Sequence, residues 1–266
     1  MIYFVATPIG NLKDISLRAL EVLRAADVIF CEDTRHSLKL LNAYEIKKPL
    51  YSCHKFNERE AAERILNAAR EGKEVCVISD AGMPVISDPG NIVCKFLRDE
   101  GEAFTVIPGA NAALSALVLS AFPSERFAFI GFLPDKLGEK KKLLEKYKNI
   151  DLTLIFHVAP QDIDRDISAV YDCFGDRRAC AVREITKLHE EAVQFNLKDG
   201  LPGERRGEYV IVVEGASVEN PLNQLGEKEH LLSYISGGMD KKEAIKQVAK
   251  DRGLPKSEIY KIALEL

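Results

Sequence analysis

The chain opens on an apolar run at residues 2–6 that breaks at once into Thr7-Pro8-Ile9-Gly10, and this rhythm of short apolar run and turn recurs through the first 120 residues. Apolar runs at 28–31, 75–78 and 104–107 have the length and continuity of strands buried on both faces. Between them, apolar residues recur at helical spacing. Ser16 stands before Leu17, Leu20 and Leu23, which predicts a capped helix. A short helix carries Leu38 and Leu41, another spans 58–71 up to Gly72, and a third stops at Gly101, since a glycine there supplies left-handed backbone. Residues 110–120 predict a helix of small apolar residues. Repeated strand–helix units of this kind imply a mostly parallel sheet with helices on both faces.

The second half is less regular. Strands are predicted at 152–156, 179–182 and 208–213, with a helix ending near Gly175 and a lysine-rich surface helix over 135–149. A domain switch falls near Phe132-Leu133-Pro134, and 220–226 is a polar, turn-rich linker. In the tail, Asp240 and Glu243 predict a capping box, Ile245, Val248 and Ala249 share a face, and Gly253-Leu254-Pro255 breaks the helix. Ser257 is placed as the cap of a last helix bearing Ile259, Ile262, Ala263 and Leu266. The fold class is therefore α/β: a first lobe at 1–131, a second, smaller lobe at 132–219, and a helix-turn-helix-like module at 225–266.

Composition narrows the function only coarsely. Hydrophobic residues make up 46% and charged residues 29% of the 266, with a formal net charge of −4. That balance argues against a surface devoted wholly to nucleic acid and leaves room for a local basic patch such as Lys140, Lys141 and Lys142. The tail from 225 carries eight basic and seven acidic residues, which suits a packing module as well as a nucleic-acid binder. No apolar run reaches membrane-spanning length, and the N-terminus reads as a strand and not as a signal peptide. Six cysteines without a CxxC pair and five scattered histidines predict free thiols in a cytoplasmic protein and no metal.

The candidate chemistry lies in the turns that follow the strands. Thr7-Pro8-Ile9-Gly10-Asn11, Ser79-Asp80-Ala81-Gly82-Met83-Pro84, Ser87-Asp88-Pro89-Gly90 and Pro108-Gly109-Ala110-Asn111 are all rich in small or fixed residues. Open α/β sheets bind ligands outside the carboxyl ends of their strands, where such turns let backbone approach a ligand. Asp80 is the acidic group at the centre of this cluster, suited to a ribose hydroxyl or an ammonium group. Neither a P-loop nor a dinucleotide fingerprint is present.

Ala6-Thr7-Pro8-Ile9-Gly10-Asn11-Leu12, Glu32-Asp33-Thr34-Arg35, Ser52-x-His54 with Asn57-Glu58, the Ser79 and Ser87 turns, Gly131-Phe132-Leu133-Pro134 and Arg183-Glu184-x-Thr186-Lys187 together resemble the 16S ribosomal RNA (cytidine-2′-O)-methyltransferases. These form a branch of the tetrapyrrole methylase superfamily. The resemblance covers nearly the whole chain. It implies S-adenosyl-L-methionine in a cleft between two α/β lobes, a homodimer, and methylation of a cytidine ribose in the decoding region of the small ribosomal subunit. The cofactor is then expected against Pro8, Ile9, Asp80, Gly82, Met83, Pro108, Asn111 and Ala112, with Phe156 and His157 closing over it. Glu32, His54 and Glu184 are candidate bases, Arg35 and Arg183 candidate bidentate phosphate holders with Lys187 as a point charge, and Asn57, Glu58 and the three lysines candidate RNA contacts. Met83 stands where the family usually has Thr, Pro108-Gly109-Ala110-Asn111-Ala112 replaces P-G-P-S-A, and Val158-Ala159-Pro160-Gln161-Asp162 replaces E-S-P-H-R. Two other activities share these features: C-methylation of a tetrapyrrole precursor, which has no need of the lysine-rich helix or the tail, and ribosome binding with cofactor affinity but no turnover.

Overall fold

The computed structural model describes residues 1–216, 221–264 and 266, and its contacts divide the chain into two units, Met1–Gly215 and Ala216–Leu266. In the first unit, β1 (Ile2–Val5), β2 (Val28–Cys31), β3 (Leu50–Ser52), β4 (Val75–Ile78) and β5 (Phe104–Ile107) form a sheet of order β3-β2-β4-β1-β5. Every pairing in it is parallel. Successive residues point to opposite faces. Ile2, Phe4, Phe30 and Val77 meet Ile65 and Leu66 of α3 (Glu58–Arg70) and Val93 and Leu97 of α4 (Asn91–Asp99). Val5, Ile29, Cys31 and Ile78 meet Leu23 of α1 (Leu17–Ala25) and Leu41 of α2 (Thr34–Ala43) on the other side. Burial on both faces explains why these strands are unbroken apolar runs. Ser16 caps α1 as expected, its Oγ accepting from Ala19 N–H at 3.1 Å.

The second sheet has five strands like the first, so the second lobe is not built on a lesser sheet. Its order is β6-β7-β10-β8-β9, from β6 (Phe127–Phe132), β7 (Thr153–Val158), β8 (Arg178–Arg183), β9 (Glu191–Asn196) and β10 (Tyr209–Val213). Only β6 and β7 run parallel. One face packs on α6 (Leu137–Glu145) and α7 (Ile163–Phe174) through Leu144, Ile167 and Val170. The other is covered by α5 (Ala112–Ser120), whose Ala113, Ala116 and Leu117 meet Ile155, Val182 and Val210. The chain therefore crosses to the second sheet before α5, and the boundary expected at 131/132 moves earlier. The boundary expected at 219 lies outside the described residues, as does Asn220, the first residue of the expected linker.

α6 corrects a second expectation. Lys140 is not on the lysine-rich surface: it is 1% exposed, and its ammonium bonds the carboxylate of Asp166 on α7, itself 5% exposed. All six cysteines are free and five are buried. Burial pushes the Cys53 and Cys76 thiols up to about 12 and Cys173 up to about 11.

The second unit contains α8 (Glu227–Ser236), α9 (Lys241–Arg252) and α10 (Lys256–Leu264) around Leu231, Ala244, Ile245, Val248, Ala249, Ile259 and Ala263. Asp240 caps α9, accepting from Lys242 N–H at 2.9 Å. The back-bond of a capping box belongs to α8, where Glu229 accepts from Gly226 N–H at 3.2 Å. α10 starts one residue before Ser257, which is thus no cap, and ends before Leu266.

Candidate functional site

The turns after β1, β4 and β5 are knitted together by backbone. Thr7 and Gly82 exchange two backbone hydrogen bonds of 2.9 and 3.0 Å. Thr7 Oγ1 donates to the Ser79 carbonyl at 3.3 Å, and Ser79 Oγ to that of Gly82 at 3.2 Å. Gly109 approaches so closely that a Cβ there would lie 2.9 Å from the Cβ of Ala6. The loop that continues to Gly90 holds Val85 at φ 77° and Ser87 at φ 66°. Left-handed backbone at a β-branched residue stores strain that only a well-braced loop retains.

The turn after β8 comes in from the second sheet. Glu184 and Thr186 sit at φ 50° and 68°, and Thr186 Oγ1 accepts from Asn11 N–H at 3.0 Å. At Gly10 a Cβ would stand 2.7 Å from Lys187 Cγ and 2.8 Å from the Ile185 carbonyl oxygen. The two sheets thus meet through loops at a point where no side chain fits.

Beside this junction lies a cavity of about 360 Å³, within the size range of small-molecule sites. Ile9, Ser87 and Asp88 form part of its wall on the first-sheet side; Ala112, His157, Val158, Ile185, Glu208 and Val210 contribute from the second. Of the expected cofactor residues, Ile9, Ala112 and His157 line it. Pro8, Gly82, Met83 and Pro108 do not, and three others have visible structural duties. Asp80 Oδ1 accepts from Asp33 N–H at 3.1 Å. Asn111 caps α5, accepting from Leu114 N–H at 3.0 Å. Phe156 is buried in the core under α6 and α7.

Two features of the wall point to a polar ligand. His157 is half-buried, edge-on to Phe129 and Phe132 at 5.0 and 5.3 Å. Burial pushes its pKa down, and its Nε2 has no hydrogen-bond partner among the described residues. A buried polar atom left unpaired in a cavity wall marks a place for a ligand group. Asp88, also half-buried, is pushed up to about 6 by burial and then by the charges of Glu32 and Asp80. Glu32 is itself raised by burial and by Asp80, with His54 opposing. The centre of the cluster is therefore three neighbouring carboxylates, Glu32, Asp80 and Asp88, where the sequence put Asp80 at the centre and Glu32 among the candidate bases.

The remaining candidates are mostly engaged. Asn57 accepts from His54 N–H at 2.7 Å and donates to the Ser52 carbonyl at 3.1 Å, fixing the turn. Glu58 is 8% exposed and accepts from Ile92 N–H at 3.0 Å, so it braces the start of α4 and is withdrawn from RNA. Arg35 is 88% exposed and pairs with Asp33 at 2.8 Å, holding that carboxyl at about 2. Arg183 pairs with Glu191 at 3.0 Å. Lys187 pairs with Glu184 at 3.0 Å and Glu208 at 2.9 Å. Glu184 also accepts from Glu208 N–H at 2.9 Å, which lowers its pKa. Lys141 and Lys142 are exposed. Sequence reasoning missed Glu208, Tyr209 and Val210, which enter the wall from the start of an antiparallel strand. Ser87 and Asp88 were visible as a turn but not as a wall.

The family model of tetrapyrrole (corrin/porphyrin) methylases matches residues 1–200. The chain is 41% identical to a Bacillus subtilis protein named ribosomal RNA small subunit methyltransferase I, over 98% of this chain and 92% of that one. A Thermotoga maritima protein of the same name is 39% identical over 79% of this chain and 96% of its own length. Among solved structures, the uroporphyrin-III C-methyltransferase of Thermus thermophilus complexed with S-adenosyl homocysteine aligns with a TM-score of 0.57 at 19% identity. That alignment covers 80% of this chain and 96% of the other, and it speaks for the fold alone.

Proposed function

The chain belongs to the tetrapyrrole methylase family, and from that premise we propose that it methylates the 16S ribosomal RNA of the small subunit from S-adenosyl-L-methionine, at the 2′-oxygen of a cytidine ribose. The observation that carries this reading is similarity along almost the full chain to relatives whose names state ribosomal RNA methylation.

The cavity suits a cofactor of this class. Its wall joins apolar Ile9, Ala112 and Val210 to the unpaired Nε2 of His157 and the carboxyl of Asp88. Bound there, S-adenosylmethionine supplies an electrophilic sulfonium methyl for in-line displacement. The chain's own part is positioning, which supplies much of the rate in such a transfer. The contact of Gly10 with 185–187 holds the two walls at fixed spacing. Asp88, poised at about 6, takes the proton of the attacking hydroxyl near neutral pH. Glu32 and Asp80 raise that carboxyl through charge, whereas Glu184, committed to Lys187 and to the Glu208 amide, holds its loop. Exposed Arg35, Lys141 and Lys142 serve the RNA backbone.

We further assign the protein to the cytoplasm as a homodimer. Six free cysteines suit a reducing compartment, and among the described residues no helix is long and apolar enough to cross a membrane. Leu114 and Val118, 49% and 78% exposed on α5, offer an apolar face for a second copy, which light scattering would weigh directly.

The deciding experiment is transfer of labelled methyl from S-adenosylmethionine to small subunits that lack the modification. Label on a cytidine ribose in the decoding region is expected. Label elsewhere, or none despite measured cofactor binding, refutes the proposal.

A further inference from the structure

By residue count the tail is almost neutral, but the structure sorts its charges. Lys242, Lys246 and Lys250 recur every four residues along the exposed side of α9, opposite buried Ala244, Ile245, Val248 and Ala249. A four-residue step advances about 6 Å along a helix, so the three ammonium groups form a row about 12 Å long. None has a carboxylate within ion-pair distance among the described residues. Like charges spaced this way disfavour a helix, so the row is tolerated and not a source of stability. Across the turn at Gly253-Leu254-Pro255 the exposed Lys256 and Lys261 flank Tyr260, which is 55% exposed. The only exposed acids on α9 and α10 among the described residues are Glu243 and Glu258.

Of the unit's other charged groups, Glu227, Lys228, Glu229 and Asp240 are exposed, whereas Asp251 and Arg252 are half-buried and partnered. Arg252 Nε donates to His230 Nδ1 at 3.1 Å. Asp251 accepts from Tyr234 Oη at 2.6 Å and from Gln247 Nε2 at 2.7 Å. The acidic first turn belongs to α8, with Glu227 and Glu229. α9 thus carries a lysine row, and α10, joined to it by a short turn, carries two exposed lysines beside an exposed aromatic ring. That is the arrangement by which helix-turn-helix modules meet nucleic acid. The Thermotoga relative is too short to carry a counterpart of both units, so a chain of that name exists without this module.

We propose that the exposed face of α9 and α10 binds the phosphate backbone of the substrate RNA, adding affinity while the first unit alone carries the chemistry. The proposal rests on ribosomal RNA being the substrate. Its test uses the full chain with Lys242, Lys246 and Lys250 changed together to Gln, and a second variant with all three changed to Arg. Binding to protein-free 16S RNA and to small subunits is measured between about 0.05 M and 0.2 M salt, alongside KM and kcat for methyl transfer. Each lost phosphate contact on single-stranded RNA flattens the log–log salt slope by about 0.7, so three flatten it by about 2, and over a fourfold rise in salt the Gln variant loses about 20-fold less affinity than the parent. KM should rise with kcat unchanged, and the Arg variant should match the parent in slope. An unchanged slope in the Gln variant overturns the proposal. So does a loss seen with whole subunits but not with protein-free RNA, which would mark a ribosomal protein as the partner. If the parent binds RNA with the expected slope but transfers no methyl, the proposed function fails and the binding surface stands.

Discussion

Changing Asp166 to Ala would strand the Lys140 ammonium in the core between α6 and α7, where its side chain is 1% exposed. An unpaired buried charge of this kind costs about 3–5 kcal/mol, because desolvation is no longer offset by the partner. For a unit the size of Met1–Gly215, each kcal/mol shifts Tm by about 2–4 °C, so a fall of about 6–20 °C in the first unit's transition is expected. Lys140→Met strands the carboxylate instead. Burial already raises Asp166 while Lys140 opposes that rise, so the lone acid can take up a proton, and the loss should shrink as the pH falls. The double variant Lys140→Met with Asp166→Leu removes both charges and should melt near the parent, since burying an ion pair adds little net stability. Calorimetry of the four proteins closes the cycle. A shift within about 2 °C for Asp166→Ala would mean that water reaches the ammonium, and the assignment of a dry ion pair would be wrong.

Three further outcomes are expected. Gly10→Val places a Cβ 2.7 Å from Lys187 Cγ and 2.8 Å from a carbonyl; overpacking there should cost about 1–3 kcal/mol and weaken S-adenosylmethionine binding in calorimetric titration, with unchanged affinity counting against the loop junction. Asp88 has a folded-state pKa raised from 3.8 to about 6, so between those values the folded chain holds a proton that the unfolded chain releases, and stability falls as pH rises through that window. Asp88→Asn should therefore raise Tm at pH 7.5 and leave it nearly unchanged at pH 4; equal shifts at both would refute the burial argument. Glu58→Ala leaves the Ile92 amide without its acceptor and should lower the urea midpoint by the equivalent of about 1–2 kcal/mol at constant m, with Glu58→Gln losing less.

The first sheet was legible because strands covered on both faces leave apolar runs between helical segments. β3 escaped notice because it has three residues, none of them fully buried. β9 alternates weakly along a half-exposed edge, and β6 contains Gly131 at φ 75° beside a register shift. α5 read correctly as a helix, but its helical period says nothing about which sheet it covers. Lys140 could not be told from its neighbours, since its partner lies 26 residues away on another helix. In the cleft, Ile9 and His157 were named through the resemblance and line the cavity wall. Glu208 was not, because it enters the wall through the fold-back of β10 on β7 and β8. The lysine row of α9 was concealed for another reason: counting charges discards direction.

The buried cysteines have a practical bearing on how this protein can be watched at work. Thiols pushed up to about 11 or 12 carry almost no thiolate at neutral pH, and thiolate is the form that maleimides and iodoacetamides attack. Cys53 and Cys76 are also 4% and 0% exposed, so those reagents reach them poorly. A single cysteine placed at exposed Ser236 or Ser257 would then outcompete the five buried thiols, allowing a fluorophore or spin label on the second unit once half-buried Cys94 is replaced. The first unit's core doubles as a chemical blank for distance measurements on the whole chain.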